Sequence, residues 1–285
     1  MPVRTGTLKL KLYTMNNQKP IPFFFRNQVY FLKSNFIIHD TELLNKFNTS
    51  VECFSYFTLE IDRMMDGNYS QTSAQELKKQ PFHAIKNYQE AIKNLIKIFP
   101  DNHIFWNHLN EQNFIYYTTI LKEKNNMTLQ TKYTLEDFEK YAIGKHCLAY
   151  IPIIGLHFIF EPLHDIEQLK EAYTHIFKAI QMNDDVEDFH SDTINNQWTY
   201  ARSLVKEFIK NNNLFNELDL DRFEERVFYV SGIAEELMQY SKDNLVAAKN
   251  IAAKNNFNEL NQWATKTLID FEKNIKLILN LTKNV

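Results

Sequence analysis

The chain has 285 residues, 44% of them apolar and 24% charged, with a net charge of −3. That balance, with Lys and Arg scattered along the chain, excludes a surface built for nucleic acid. Five Gly and seven Pro are too few for the turns of a sheet protein this long, so the composition predicts long helices and few connections.

The stretch Met1–Lys9 has no apolar run of the signal-peptide kind. Thr7–Tyr13 alternates like a short strand, and Asn16–Pro22 reads as loop. Phe23–Ser34 predicts a first helix. Asp40 caps a long one through Phe47, Val51 and Phe54 to Asp66, ended by Gly67-Asn68. Ser73 with Glu76 forms a capping box, and Pro81 restarts a helix that ends near Phe99. Asp101 caps the next, to about Lys124. Thr134 caps one through Phe138, Tyr141 and Ala142, which Pro152 and Gly155 break or kink. The most apolar run, Cys147–Phe160, is too short to span a bilayer. Cys53 and Cys147 lie too far apart for a disulfide framework and read as buried thiols in a reducing compartment, so the expected location is cytoplasmic. A central helix follows over Asp165–Asp192, then one over Asn196–Lys210. Two long helices end the chain, the first carrying Phe223, Val227, Ala234, Leu237, Leu245 and Ala248. No repeat or linker divides the chain. The prediction is one all-α domain over residues 1–285, about nine or ten helices around a central cavity.

The central helix carries the most pointed chemistry. Asp184 and Asp188 stand one turn apart on one face, with Asp185 beside them and Gln181 one turn earlier. Such crowding costs helix stability unless a cation sits among the acids. A solvated acidic face is the plainer reading, but these acids follow an apolar run without interleaved Lys or Arg. Oxygen-only ligands imply a hard ion, Mg2+ first. A second pair, Asp62 and Asp66, ends the earlier long helix, where the macrodipole already places negative charge. Together the five acids would hold several divalent ions, a set suited to gripping and ionising a diphosphate. Two ExxH pairs, Glu161/His164 and Glu187/His190, suggest di-iron. They lie 26 residues apart on what reads as one helical run, about 39 Å, and cannot share a centre.

The acidic motifs resemble those of the class I isoprenoid synthases. Gln181-Met-Asn-Asp-Asp-Val-Glu-Asp188 is similar to the second aspartate-rich motif of trans-prenyltransferases, FQxxDDxxD, with Ile180 in place of Phe. Leu59-Glu-Ile-Asp-Arg-Met-Met-Asp66 is similar to the first, DDxxD, with Arg63 replacing its second Asp. Tyr141-Ala-Ile-Gly-Lys-His146 resembles the helix that ends in Lys-Thr, so Lys145 falls where that family keeps a diphosphate-binding lysine. The likeness covers roughly residues 50–210. It implies Mg2+ held by Asp62, Asp66, Asp184, Asp185 and Asp188, a prenyl diphosphate bound by Lys145 and Gln181, and a homodimer. Arg202 is a further candidate to neutralise the leaving group. The paired arginines that follow the first motif in chain-elongating enzymes are replaced by Gly67-Asn-Tyr-Ser70, and an early Gly-Lys-Arg segment is missing. A one-substrate terpene synthase, a lyase, is therefore the expected activity. A prenyltransferase adding isopentenyl diphosphate or another acceptor comes second, and a non-catalytic relic of the fold third. Arg63 could equally pair with Asp62 or Asp66 and weaken that metal site.

Overall fold

A computed structural model describes residues 20–66, 80–125, 132–214 and 222–283. The expectations for Thr7–Tyr13, for Gly67-Asn68 and for Ser73 with Glu76 lie outside them. The described chain is all-α apart from a two-residue antiparallel pair, Phe36–Ile37 (β1) with Glu161–Pro162 (β2), in which Phe36 faces Pro162 and Ile37 faces Glu161. The helices are α1 (Pro20–Arg26), α2 (Gln28–Leu32), α3 (Thr41–Asp66), α4 (Gln80–Leu95), α5 (Phe105–Asn125), α6 (Leu135–His146), α7 (Ile151–Ile159), α8 (Ile166–Glu187), α9 (Phe189–Ile194), α10 (Tyr200–Asn211), α11 (Phe223–Val230), α12 (Ile233–Lys254) and α13 (Asn258–Lys283).

Helix α8 is central because most of its surface is apolar or small. Leu169, Ala172, Tyr173, Ile176, Phe177, Ala179, Ile180, Met182 and Val186 are all buried, while a polar stripe through Glu167, Lys170 and Glu171 faces outward. Each large apolar side chain buried there contributes about 1.5–3 kcal/mol, enough to offset the cost of carrying acids inward at its C-terminal end. The small residues Ala179 and Ser241 let α12 close on α8, and the Ser241 hydroxyl donates to the Ala179 carbonyl at 2.5 Å. Helix α1 packs under this layer, its Phe24 ring 5.0 Å from Tyr173 and 4.6 Å from Trp263 of α13.

Local signals set most helix starts. Asp40 accepts from the Leu43 amide at 2.9 Å. Thr134 and Asp137 form a reciprocal capping box on α6, and Asp165 accepts from the Glu167 amide. Other boundaries differ from the sequence reading. Asn16–Pro22 is not all loop, since α1 begins at Pro20. The first predicted helix breaks at Asn27 into α1 and α2. Asp101 does not start α5; turns carry the chain to Phe105, whose amide donates to His103 Nδ1. Thr199, not Asn196, caps α10. The apolar pattern from Phe223 to Ala248 is interrupted by Gly232 at φ 87°, which divides α11 from α12.

The break near Pro152 comes earlier than its residues suggest. α6 stops at His146, a 3-10 turn spans Cys147–Tyr150, and Pro152 lies in the first turn of α7, where its missing N–H costs nothing. Gly155 is not a breaker at all. It sits buried within α7, and a Cβ there would stand 2.7 Å from Cε2 of Phe47 and 3.3 Å from Cε2 of Phe105. Gly155→Ala should therefore lower stability by up to about 2 kcal/mol in chemical denaturation, overpacking of about 1–3 kcal/mol outweighing the helix-propensity gain of about 1. An unchanged or raised midpoint would show that Phe47 yields freely.

Candidate functional site

Two cavities share a wall at the ends of α3 and α6. The first, about 180 Å³, is apolar. One stripe of α3 faces it, Phe47, Val51, Phe54, Thr58 and Asp62, at the spacing that keeps side chains on one helical face. Phe105, Leu109 and Tyr116 of α5 line another side, and Phe25, Gln28 and the Cys147–Tyr150 turn complete it. The second cavity, about 850 Å³, is a polar mouth walled by α5, α6, α8 and α9. Asp62 and Lys145 line both. Fifteen residues at 1.5 Å each put Phe47 about 22 Å below Asp62 along α3.

The structure brings Asp62, Lys145, Gln181, Asp184, Asp185 and Asp188 to the same mouth. It leaves out the others. The side chain of Asp66 lies outside the described residues. Arg202 is not a mouth residue but a buried structural cation. Its Nη1 donates to the Gln197 carbonyl at 2.6 Å, its Nε lies 3.6 Å from Glu224 Oε2, and its guanidinium packs 5.8 Å from the Trp198 ring. A cation that finds a carboxylate on α11 is spent on holding α10 in place. Arg63 pairs with Glu60, one turn back on α3, at 3.0 Å and in the open. Of the ExxH residues, Glu161 is in β2 rather than on α8, and His190 contacts Glu225 at 2.9 Å.

The electrostatics are those of a crowded acidic site around the buried Lys145 ammonium. Burial alone would push the Lys145 pKa down, but Glu123 at 3.6 Å, Asp184, Asp62 and Asp185 outweigh it and hold the pKa above the ordinary lysine value. Its position in the last turn of α6 also suits a cation. Burial raises Asp185 to about 8, against a 2.8 Å hydrogen bond from Gln181 Nε2 and the charge of Lys145. Asp184 opens onto the mouth on one side, yet protein walls most of its surroundings, and desolvation lifts it to about 6 despite Lys145. Burial, with Asp188 and Asp184 nearby, raises Asp192 to about 7.

Asp192, which on an unbroken helix reads as surface, is a mouth residue the sequence reading missed. α8 ends at Glu187, Asp188 takes φ −91° and ψ 2°, and α9 carries Asp192 back toward the acids. Glu123 and Tyr116, contributed by α5, were also missed. Only tertiary packing brings them to Lys145 and Asp62. His146 follows Lys145 and stacks on Phe25 at 5.1 Å; burial, then Lys145, depress its pKa to about 3, so it is neutral.

No protein-family model, no curated protein and no solved structure matches this chain. The chemistry therefore rests on the site itself. Among the described residues, no three His, Cys, Asp or Glu side chains form a ready cage for one metal ion. A hard ion such as Mg2+ takes one or two carboxylates and completes its shell with water and phosphate oxygens. The carboxylate donors at the mouth are all oxygen, and burial first, then their mutual repulsion, pushes them toward protonation, which a bound hard cation would reverse.

Proposed function

We propose that this chain is a Mg2+-dependent enzyme of the terpene synthase kind, a lyase that ionises a linear prenyl diphosphate. One observation carries the reading: an apolar cavity and an acidic mouth share Asp62 and Lys145 as their common wall. A molecule with a hydrocarbon tail and a polyanionic head matches that pair, and its C1–O bond would lie at the boundary. Asp62, Asp184, Asp185 and Asp188, joined by Asp192 and by Asp66 at the end of α3, would hold the ions. Bound Mg2+ would neutralise the diphosphate and improve it as a leaving group.

The protein's own residues supply the rest. Lys145 places fixed positive charge beside the oxygen that takes the bonding electron pair. Gln181 orients Asp185. The apolar walls would keep water from the allylic cation, and the aromatic rings among them, Phe25 and Phe54 included, would supply negative quadrupole to it. Cyclisation or proton loss then ends the reaction. Diphosphate release from a series of prenyl diphosphates, with Mg2+ and with chelator, tests this. Release that needs metal and one substrate only, and that falls at least 100-fold in Asp188→Ala, is the expected result. Metal-independent release, or an Asp188→Ala variant with full activity, would remove the proposal.

The second reading is a prenyltransferase. The mouth, at about 850 Å³ and with Lys122 and Lys140 also lining it, leaves room for a second anionic substrate. Release that begins only when isopentenyl diphosphate is added would select it.

A further inference from the structure

Away from the wall of Asp62, Tyr116 and Lys145, the polar side chains that line the apolar cavity have spent their protons elsewhere. Ser50, Ser55 and Thr58 line it from α3, and each hydroxyl donates to the carbonyl one turn back, at 2.9–3.0 Å. Gln28 donates from Nε2 to the Phe24 carbonyl at 2.9 Å, and its Oε1 is buried with no hydrogen-bond partner. His146 completes the set. It lines the apolar cavity and not the mouth, and its Nε2 is also buried and unpartnered. A bare acceptor in apolar surroundings costs stability, so two of them in one cavity call for a reason. A polar lining left with lone pairs alone suits positive charge, or a C–H bond made acidic by it.

His146 differs from the other four in being a base. Its ring packs on Phe25 at 5.1 Å and on Phe177 at 5.6 Å. Its hydrogen-bonding neighbour is Gln181, and that bond favours the protonated ring, so Gln181 accepts through its carbonyl oxygen. Nε2 has no partner, so the donor is Nδ1, and the lone pair stays on Nε2. The Gln181 amide meanwhile donates to Asp185, which ties the ring's orientation to the acidic mouth. We infer that His146 is the base that ends the reaction, taking at Nε2 the proton that the prenyl cation loses. The inference rests on the reading of the site as one that ionises a prenyl diphosphate. The Nε2 lone pair forms the new N–H bond, and the electrons of the broken C–H bond become a C=C bond beside the cationic carbon. A neutral hydrocarbon and an imidazolium result. Burial and the charge of Lys145 make the ring a weak base, but a prenyl cation is acidic enough for any lone pair in reach. The same surroundings return the proton to water as the product leaves.

The test reads the ratio of hydrocarbon to alcohol among the products of the wild type and of His146→Phe, which keeps the stacked ring and removes the lone pair. His146→Leu is the second variant should Phe not fit. Without the base the cation persists until water captures it, so the ratio should fall about tenfold or more. A wild type that forms chiefly alcohol overturns the inference. So does a ratio that neither variant changes, which would make the departed diphosphate the base. Both results leave the ionising chemistry intact. A second measurement needs no turnover. It compares binding of N,N-dimethylgeranylammonium, which carries one N–H, with its N,N,N-trimethyl analogue, each with Mg2+ and inorganic pyrophosphate. The wild type should hold the N–H cation tighter by about tenfold or more, and the variants should lose that preference. A preference that is absent, or that survives in the variants, overturns the inference. If no prenyl diphosphate is ionised, the catalytic reading falls by itself, and this comparison decides whether Nε2 accepts a proton from a bound cation.

Discussion

Lys145→Gln is expected to be the most damaging single substitution at the mouth, on two separate readouts. It removes the one positive charge facing Glu123, Asp184, Asp62 and Asp185 together. The buried carboxylates left behind lose their shared counter-charge, and breaking such a buried pair costs about 3–5 kcal/mol. The Lys145 side chain keeps a fifth of its surface exposed, so the loss should fall near the lower figure. Diphosphate release should fall about 100- to 1,000-fold, the usual loss when one preorganised donor to a developing anion is deleted. The pattern of rescue separates this from a general folding defect: Mg2+ with inorganic pyrophosphate should restore the lost thermal stability but not the rate. A variant with wild-type release would remove Lys145 from the chemistry.

Without divalent ions, the protein should lose about 2 kcal/mol of stability as the pH rises from 6.5 to 8.5. The sign follows from the acids. Asp185 at about 8 and Asp192 at about 7 lie far above the ordinary aspartate value. Over this window the folded state holds protons the unfolded chain has already released, so stability is greatest at the acid side and is lost as the pH passes each folded pKa. Asp184, at about 6, is mostly ionised before the window opens. His146 works the other way, most strongly below pH 6.5 and fading by about pH 7.5, where the unfolded chain no longer binds the proton that the buried ring refuses. Denaturation midpoints at four pH values would measure the slope. Asp185→Asn should flatten it, and saturating Mg2+ with pyrophosphate should remove it. A stability that rises with pH in the absence of metal would contradict the crowding of these acids.

The part of this site that could be read in the sequence is the part built by local rules. Asp40, Thr134 and Asp165 announce their helices through short-range capping bonds. Asp184, Asp185, Asp188 and Gln181 share a helix turn or two, so spacing alone groups them. What could not be read depends on partners far along the chain. Arg202 looks like a spare cation until α11 delivers Glu224 to it. Asp192 looks like surface until the chain bends at Asp188. Pro152 illustrates a different ambiguity, because proline both breaks a helix and starts one well. Here it starts one, and the break sits in Cys147–Tyr150, which carries neither Pro nor Gly. The cavity volume depends on how Phe47 meets Gly155 across two helices, which no periodicity encodes.

The stripe on α3 has a consequence for how such a chain can vary. Phe47 and Asp62 are joined by fifteen residues of uninterrupted helix, so the helix acts as a ruler graduated in steps of 1.5 Å and 100°. Adding or deleting one residue between them would rotate every later mark off the cavity and swing the carboxylate out of the mouth. Inheritance can therefore exchange side chains along this ruler, altering the apolar wall at one end and the acidic mouth at the other. It cannot cut or lengthen the ruler without losing the alignment of both.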